Sequence, residues 1–154
     1  MAKVSIEFER TDHLDQYSTI FDEEARASLT EACLREKAAV QRNSPRFSGA
    51  FASSIEMQVG PQGGMMRGDV FSTDSEPKVA VIESGRRPGG SFPNISTLSS
   101  WAQGKGIPVF LAARAIAIKG ITPRRVFGRS ADETEPEVDR ILTVDLPESI
   151  IEQL

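Results

Sequence analysis

Phe21-Asp22-Glu23-Glu24-Ala25-Arg26-Ala27-Ser28-Leu29-Thr30-Glu31-Ala32-Cys33-Leu34-Arg35-Glu36-Lys37-Ala38-Ala39-Val40 reads as the body of a long helix. Phe21, Ala25, Leu29, Ala32, Cys33, Leu34 and Val40 recur at helical spacing and make an apolar stripe. Asp22, Glu23 and Glu24 lie towards the start, and Arg35, Lys37 and Arg42 towards the end, as the helix dipole favours. The pattern predicts a helix from Asp15 to Arg42. Pro45 stops it, because the residue before a proline is pushed out of the α region.

On the N-terminal side, Lys3-Val4-Ser5-Ile6-Glu7-Phe8-Glu9 alternates and places Val4, Ile6 and Phe8 on one face, as a half-buried strand requires. On the C-terminal side, residues 48–59 read as a short helix turning into a strand, and Gly60 to Gly64 as a turn. Two more strands are expected, at Met66–Ser72 and at Lys78–Glu83. The second rests on the β-branched run Val79-Ala80-Val81-Ile82. Ser84 to Pro93 is a glycine- and proline-rich basic loop, expected to be flexible. Ser96 or Thr97 can cap a helix through Leu98 and Trp101. Val109 to Lys119 reads as a further helix, with Phe110, Ala113, Ile116 and Ala117 on one side and Gly120 as its C-cap. Val126 and Phe127 suit a buried anchor. Pro136 suits the first position of a last helix that carries Val138, Ile141 and Leu142, and Pro147 interrupts it before Ile150, Ile151 and Leu154. The fold class expected is α+β, with a long N-terminal helix and shorter helices packed on a small, mainly antiparallel sheet. Residues 1–154 are expected to form a single domain that includes the basic loop 84–93 and an acidic C-terminal helix or tail 132–154.

The composition agrees with a soluble globular chain. It has 154 residues, 39% hydrophobic and 26% charged, enough for one core, since a chain of ~150 residues buries close to 70% of its extended surface. No apolar run approaches the ~18 residues of a membrane span, and the N-terminus lacks the apolar core of a signal peptide. Synthesis in a cytoplasm and no membrane partner are therefore expected. Cys33, the only cysteine, falls on the helix stripe and reads as a buried, inert thiol.

The net charge of −4 conceals segregation. Residues 1–83 hold nine basic and fourteen acidic side chains (−5), residues 84–131 eight basic and none acidic (+8), and residues 132–154 one basic and eight acidic (−7). Forty-eight residues without Asp or Glu imply an electropositive surface unless the acidic tail folds over it. Arg86, Arg87, Lys105, Arg114, Lys119, Arg124, Arg125 and Arg129 could meet phosphates. Yet the aromatics among them, Phe92, Trp101, Phe110 and Phe127, mostly read as core, and the pI near 5.1 is that of an acidic chain. Subunit-to-subunit complementarity is the preferred reading, with the +8 block facing an acidic region of the next copy.

Catalytic signatures are missing from the sequence. His13 is the one histidine, in a turn beside Asp12 and Asp15. Ser84 lacks the glycines of a nucleophile elbow, with Ile82 and Arg86 in their places. The glycine-rich pieces lack the Walker spacing, and no cluster has metal-ligand spacing. Glu83 faces an arginine-rich loop, and its expected role is to pair with Arg86, Arg87 or a neighbouring subunit's arginine. The chain is expected to be no enzyme and to need no cofactor or metal.

Four motifs in order carry a resemblance. The first is Asn43-Ser44-Pro45-Arg46-Phe47-Ser48-Gly49-Ala50-Phe51-Ala52-Ser53-Ser54-Ile55. It is similar to a pattern of approximately Ala-Pro-x-x-Thr-Gly-x-Leu-x-x-Ser-Ile, which follows the first long helix in a tail-component family of tailed bacteriophages. Pro45, Gly49, Ser54 and Ile55 match it, Ser48 replaces Thr and Phe51 replaces Leu. The second is a strand ending in Glu-x-Gly before a basic, proline-containing loop, here Val81-Ile82-Glu83-Ser84-Gly85-Arg86-Arg87-Pro88. The third is a helix bearing Trp101, then an alanine-rich helix ending at Gly120. The fourth is a Pro-x-x-Phe-type element, loosely matched from Pro123 to Phe127. The resemblance spans roughly residues 3–142, and the C-terminus departs from it at Pro147.

The resemblance implies a tail-completion or head–tail joining protein of the phage neck. It would be a virion component made in the bacterial cytoplasm that assembles into a homo-oligomeric ring, commonly a hexamer. Its partners would be the connector or stopper and the tail terminator or tail tube, with DNA passing through the channel without sequence specificity. Glu83, Gly85, Arg86, Arg87, Pro88, Gly89, Gly90, Arg124, Arg125 and Arg129 are the interface candidates. A tail terminator or stopper of the same neck is the nearest alternative. A nucleic-acid-binding module using residues 84–131 is an alternative of another class. A small hydrolase would have to use Glu83 and His13.

Overall fold

The computed structural model describes residues 2–8 and 18–153. His13, Asp12, the expected helix start at Asp15 and Leu154 lie outside the described residues. In chain order the elements are β1 (Lys3–Phe8), α1 (Ser18–Asn43), α2 (Ala50–Ser53), β2 (Ile55–Gln62), β3 (Met65–Ser72), α3 (Glu76–Ser84), α4 (Ile95–Gly104), α5 (Val109–Lys119), α6 (Val126–Arg140), a π-helical stretch (Ile141–Asp145) and α7 (Leu146–Gln153). The fold is α+β, with the long helix and small antiparallel sheet that the patterning predicts. Where one domain was expected, the chain forms two compact units. A sheet unit combines Ala2–Asp74 with Val126–Leu154, and a helical unit is inserted as Ser75–Arg125.

In the sheet unit the strand order is β1-β3-β2, all antiparallel. The register puts Val4 opposite Val70 and Ile6 opposite Gly68, with Met57 and Val59 flanking the same two β3 residues from the other side. This is the face that α1 covers. Along α1, Ala25, Leu29, Ala32, Cys33, Glu36, Ala39 and Val40 are buried, a stripe of alternating three- and four-residue steps. Leu34, assigned to that stripe by its apolar character, is instead 54% exposed. It is out of phase with Leu29 and Cys33, while Glu36 and Ala39 are in phase. A Cβ at Gly68 would sit 2.4 Å from Cys33 Sγ, so glycine there permits the close approach of helix and sheet. Burial drives the Cys33 thiol up to about 11, helped by the charges of Asp69 and Glu36, so it stays protonated and unreactive.

The hairpin β2–β3 turns on Gly63 and Gly64, both with positive φ. The strand therefore runs on through Gly60, Pro61 and Gln62, which the composition assigned to the turn. Pro61 is tolerated because, within this sheet, β2 pairs on one side only.

Four further expectations are corrected. Lys78–Glu83 is not a strand, since Val79 to Ile82 belong to α3. Ser75 in extended conformation, Glu76 in the first turn and Pro77 at its start are helix-opening signals that outweigh a four-residue β-branched run. Asn94, not Ser96 or Thr97, caps α4, its side chain accepting a hydrogen bond from the Ser96 N–H at 3.0 Å. Pro136 does not open the last helix but lies inside α6, which begins at Val126. The buried side of α6 is Val126, Phe127, Ser130 and Thr134, and both Pro136 and Asp132, four residues before it, are exposed. Proline cannot donate the helical N–H bond to the carbonyl four residues back, and that residue is exposed. Nor does Pro147 end the helical run. The π stretch lets the Leu146 N–H reach the Ile141 carbonyl, and Pro147 falls in the first turn of α7.

Candidate assembly surface

The helical unit contains nine of the ten interface candidates. The last carbonyls of α3 are served by the chain leaving α5, and one of α5 by the chain leaving α3. Gly85 N–H bonds the Val81 carbonyl at 2.9 Å, and the next two, Ile82 and Glu83, accept from Arg124 and Arg125 at 2.9 and 3.2 Å. Reciprocally, Gly120 N–H reaches the Ile116 carbonyl and Gly89 N–H the Ala117 carbonyl, each at 2.8 Å. Arg86 and Ile121 exchange two backbone bonds of 2.8 Å at the crossing. Backbone groups that end a helix need partners, and here the two helix ends supply each other's.

Glycine is required at both crossing points. Gly85 (φ +70°) would place a Cβ 2.3 Å from the Ile121 carbonyl oxygen, and Gly120 (φ +73°) one 2.2 Å from the Arg86 carbonyl oxygen. The Glu-x-Gly signature therefore marks a helix terminus rather than a strand end. The first half of the basic loop is tied down by main-chain bonds. Arg124 and Arg125 also place charge at the C-terminal end of α3, where the helix dipole favours it.

The arginines divide by use. Arg86 folds back onto Ser91, donating to its carbonyl and, at 3.1 Å, to its hydroxyl. Arg87, Arg114, Lys119 and Arg124 are exposed. Arg129, the tenth candidate, belongs to the sheet unit, where it bonds Asn43 Oδ1 at 2.7 Å and lies 3.7 Å from Glu133. The helical unit is strongly cationic, with eight Lys and Arg against two Asp and Glu, a net of +6. The remaining ten basic and twenty acidic side chains leave the sheet unit at −10.

Apolar surface accompanies that charge. Most of the aromatics in the basic block were expected in the core, but Phe92 and Phe110 are 47% and 56% exposed, with ring centroids 5.6 Å apart. Ile107, Leu111 and Ile118 are exposed as well. Phe127 is buried, as expected. Between α3, α4 and α5 lies a pocket of about 470 Å³, lined by Pro77, Val81, Ile82, Leu98, Ile116 and Ile121 among others.

The other motif residues shape the sheet unit. Gly49 takes positive φ ahead of α2. Ser54 joins α2 to β2: its hydroxyl meets Ser72 Oγ at 2.7 Å, and its carbonyl accepts from the Thr73 N–H at 2.8 Å. Ile55 then enters the core fully buried. Pro45 and Ser48 lie in the link between α1 and α2, and Trp101 is half-buried on α4. The acidic segment pairs chiefly with the basic end of α1. Glu133 meets Arg42 at 3.0 Å and Glu137 meets Arg35. Hydrogen bonds from Asn43 and Arg42 hold Glu133 below the usual carboxylate range.

Sequence reasoning missed Glu36, which is 1% exposed on the buried stripe of α1. Its position four residues after Ala32 and seven after Leu29 was the available signal. Among the described residues no group of three or more His, Cys, Asp or Glu is placed to hold a metal ion, and no helix is long and apolar enough to cross a membrane. The chain matches no protein-family model, no curated protein and no solved structure.

Proposed function

We propose that this chain is a non-enzymatic structural protein of the bacteriophage neck that completes the tail at the head–tail junction by assembling into a ring around the DNA channel. The observation that carries the proposal is the match between charge and architecture. The boundary between units is also the boundary between +6 and −10, so the cationic unit of one copy can complement the anionic unit of the next. The Pro45–Ile55 motif, the Trp101 and Gly120 helices and the exposed Phe92–Phe110 surface support the same reading. Such a contact would be heterologous, and it closes into a ring when the rotation between copies allows.

Molar mass across protein and salt concentration tests it. Discrete oligomers that weaken as salt rises are expected, and Arg87→Glu combined with Arg114→Glu should yield a folded monomer, since both side chains are exposed. A wild-type chain that stays monomeric at all concentrations and with tail components overturns the reading. A terminator or stopper role in the same neck differs only in the docking partner, which pull-down with purified connector and tail-tube proteins distinguishes. The excess of cationic side chains in the helical unit favours one second reading, sequence-independent DNA binding. A steep fall in the monomer's DNA affinity with salt would select it.

A further inference from the structure

The sheet unit holds a pocket of about 250 Å³ between β1 and α6, lined by Val4, Ile6, Ala131 and Val138, with Glu36 also in its wall and Asp132 and Glu135 among its lining. Glu36 is 1% exposed, and among the described residues its Oε1 has no hydrogen-bond partner. Its Oε2 meets Thr134 Oγ1, whose single hydrogen is shared with the Ser130 carbonyl oxygen at 3.0 Å. A carboxylate can accept about four hydrogen bonds, so Glu36 is left short of donors among the described residues. A buried charge without donors costs stability, and a ligand that supplies them relieves that cost.

We propose that this pocket receives an arginine side chain from the helical unit of a second copy of the chain, with Arg87 the arginine that enters. This rests on the assembly reading above. The pocket is smaller than the roughly 300–1,000 Å³ of sites for drug-sized ligands, which suits one long side chain. Its aliphatic walls match a methylene stem, and the Glu36 carboxylate in its lining matches a guanidinium fork. A metal ion fits poorly, because hard cations take six or more oxygen ligands and, among the described residues, no three carboxylates or other ligating side chains are grouped to hold one. The second copy is the natural source, because its helical unit is the cationic surface complementary to this anionic one, and Arg87 is exposed beside the Pro88-Gly89 turn.

Sedimentation of three full-length variants tests the pocket. Glu36→Gln keeps an acceptor for Thr134 but removes the charge, Ala131→Leu fills the pocket and leaves every charge in place, and Arg87→Glu removes the incoming group. Each should weaken self-association at least roughly tenfold, with Glu36→Gln melting no lower than wild type. Mixing Glu36→Gln with Arg87→Glu should restore a heterodimer, because one partner keeps its arginine and the other its pocket. Association of Glu36→Gln and Ala131→Leu at wild-type strength, or failure of the mixture to pair, overturns the pocket and leaves ring assembly standing. A wild-type chain that never associates overturns both.

Discussion

The two units are held together by different means. The sheet unit relies on side chains. Seven α1 residues are buried in an unbroken stripe, a glycine in the central strand admits a cysteine, and ion pairs tie α1 to α6. On the sheet's other face Asp69 joins Arg67 at 3.0 Å, Lys3 at 3.6 Å and the Ser5 hydroxyl. The helical unit relies on its backbone. Its fully buried hydrophobics are Val79, Ala102, Ala112 and Ala113, too small for much hydrophobic stabilisation, and its helix ends cap each other through main-chain bonds. A unit held this way can leave large apolar and cationic side chains outside, where a partner can use them.

Mutations at the two kinds of joint should separate the units. The largest effect is expected at Gly120→Ala and Gly85→Ala, where a Cβ would fall well inside van der Waals contact with a carbonyl oxygen at positive φ. A loss of about 3 kcal/mol or more in local stability should follow. Hydrogen exchange at the Arg86, Gly89 and Ile121 amides reads it, and unchanged protection there would break the comparison. Next comes Leu29→Ala, which empties a fully buried position in α1 and should cost about 2–5 kcal/mol in denaturant unfolding.

A smaller loss, about 1–3 kcal/mol, is expected for Gly68→Ala from overpacking against Cys33 Sγ. Cys33→Ala in the same chain should recover part of it, and strictly additive losses in the double-mutant cycle would deny the contact.

The smallest effects concern pH, and their signs oppose. Burial works to raise Asp69, but hydrogen bonds from Ser5 and Arg67 and the charges of Lys3 and Arg67 hold it below its usual value of 3.8. Its stabilisation is present above that value and is lost as pH falls through the lowered pKa. Burial raises Glu36 above 4.5, against the Thr134 hydrogen bond and with the help of the Glu133 charge. The folded state then keeps a proton the unfolded chain has released, so stability declines as pH rises from that value through the raised pKa. Denaturant midpoints followed against pH should show the decline in wild type and lose it in Glu36→Gln. A decline that persists in the variant would assign it to another group.

Much of the sheet unit was legible because its patterns are long. Twenty residues of periodic apolar character define α1, and alternation defines β1, whose partner matters only for register. Gly120 and the span of α5 were equally readable from one apolar run and its cap. The misread segments are short or conflicted. Val79 to Ile82 is too brief for periodicity to separate helix from strand. Pro136 is a helix-opening signal that became an interior residue because Val126 and Phe127 had already anchored the helix. Nine of the ten candidates fall in one unit and Arg129 in the other, a division that their grouping in sequence did not signal.

By itself the sequence determined the α+β class, the long first helix, the buried thiol and the segregation of charge, because each follows from local periodicity or from counting. Only the tertiary structure decided that residues 75–125 form their own unit, that Gly85 and Gly120 face each other's chains, and that Glu36 is buried with one oxygen unpaired. Those features join residues up to ninety-eight positions apart, as Glu36 and Thr134 are. No local propensity encodes such a pairing. It exists only once helix and strand packing has brought the two segments together.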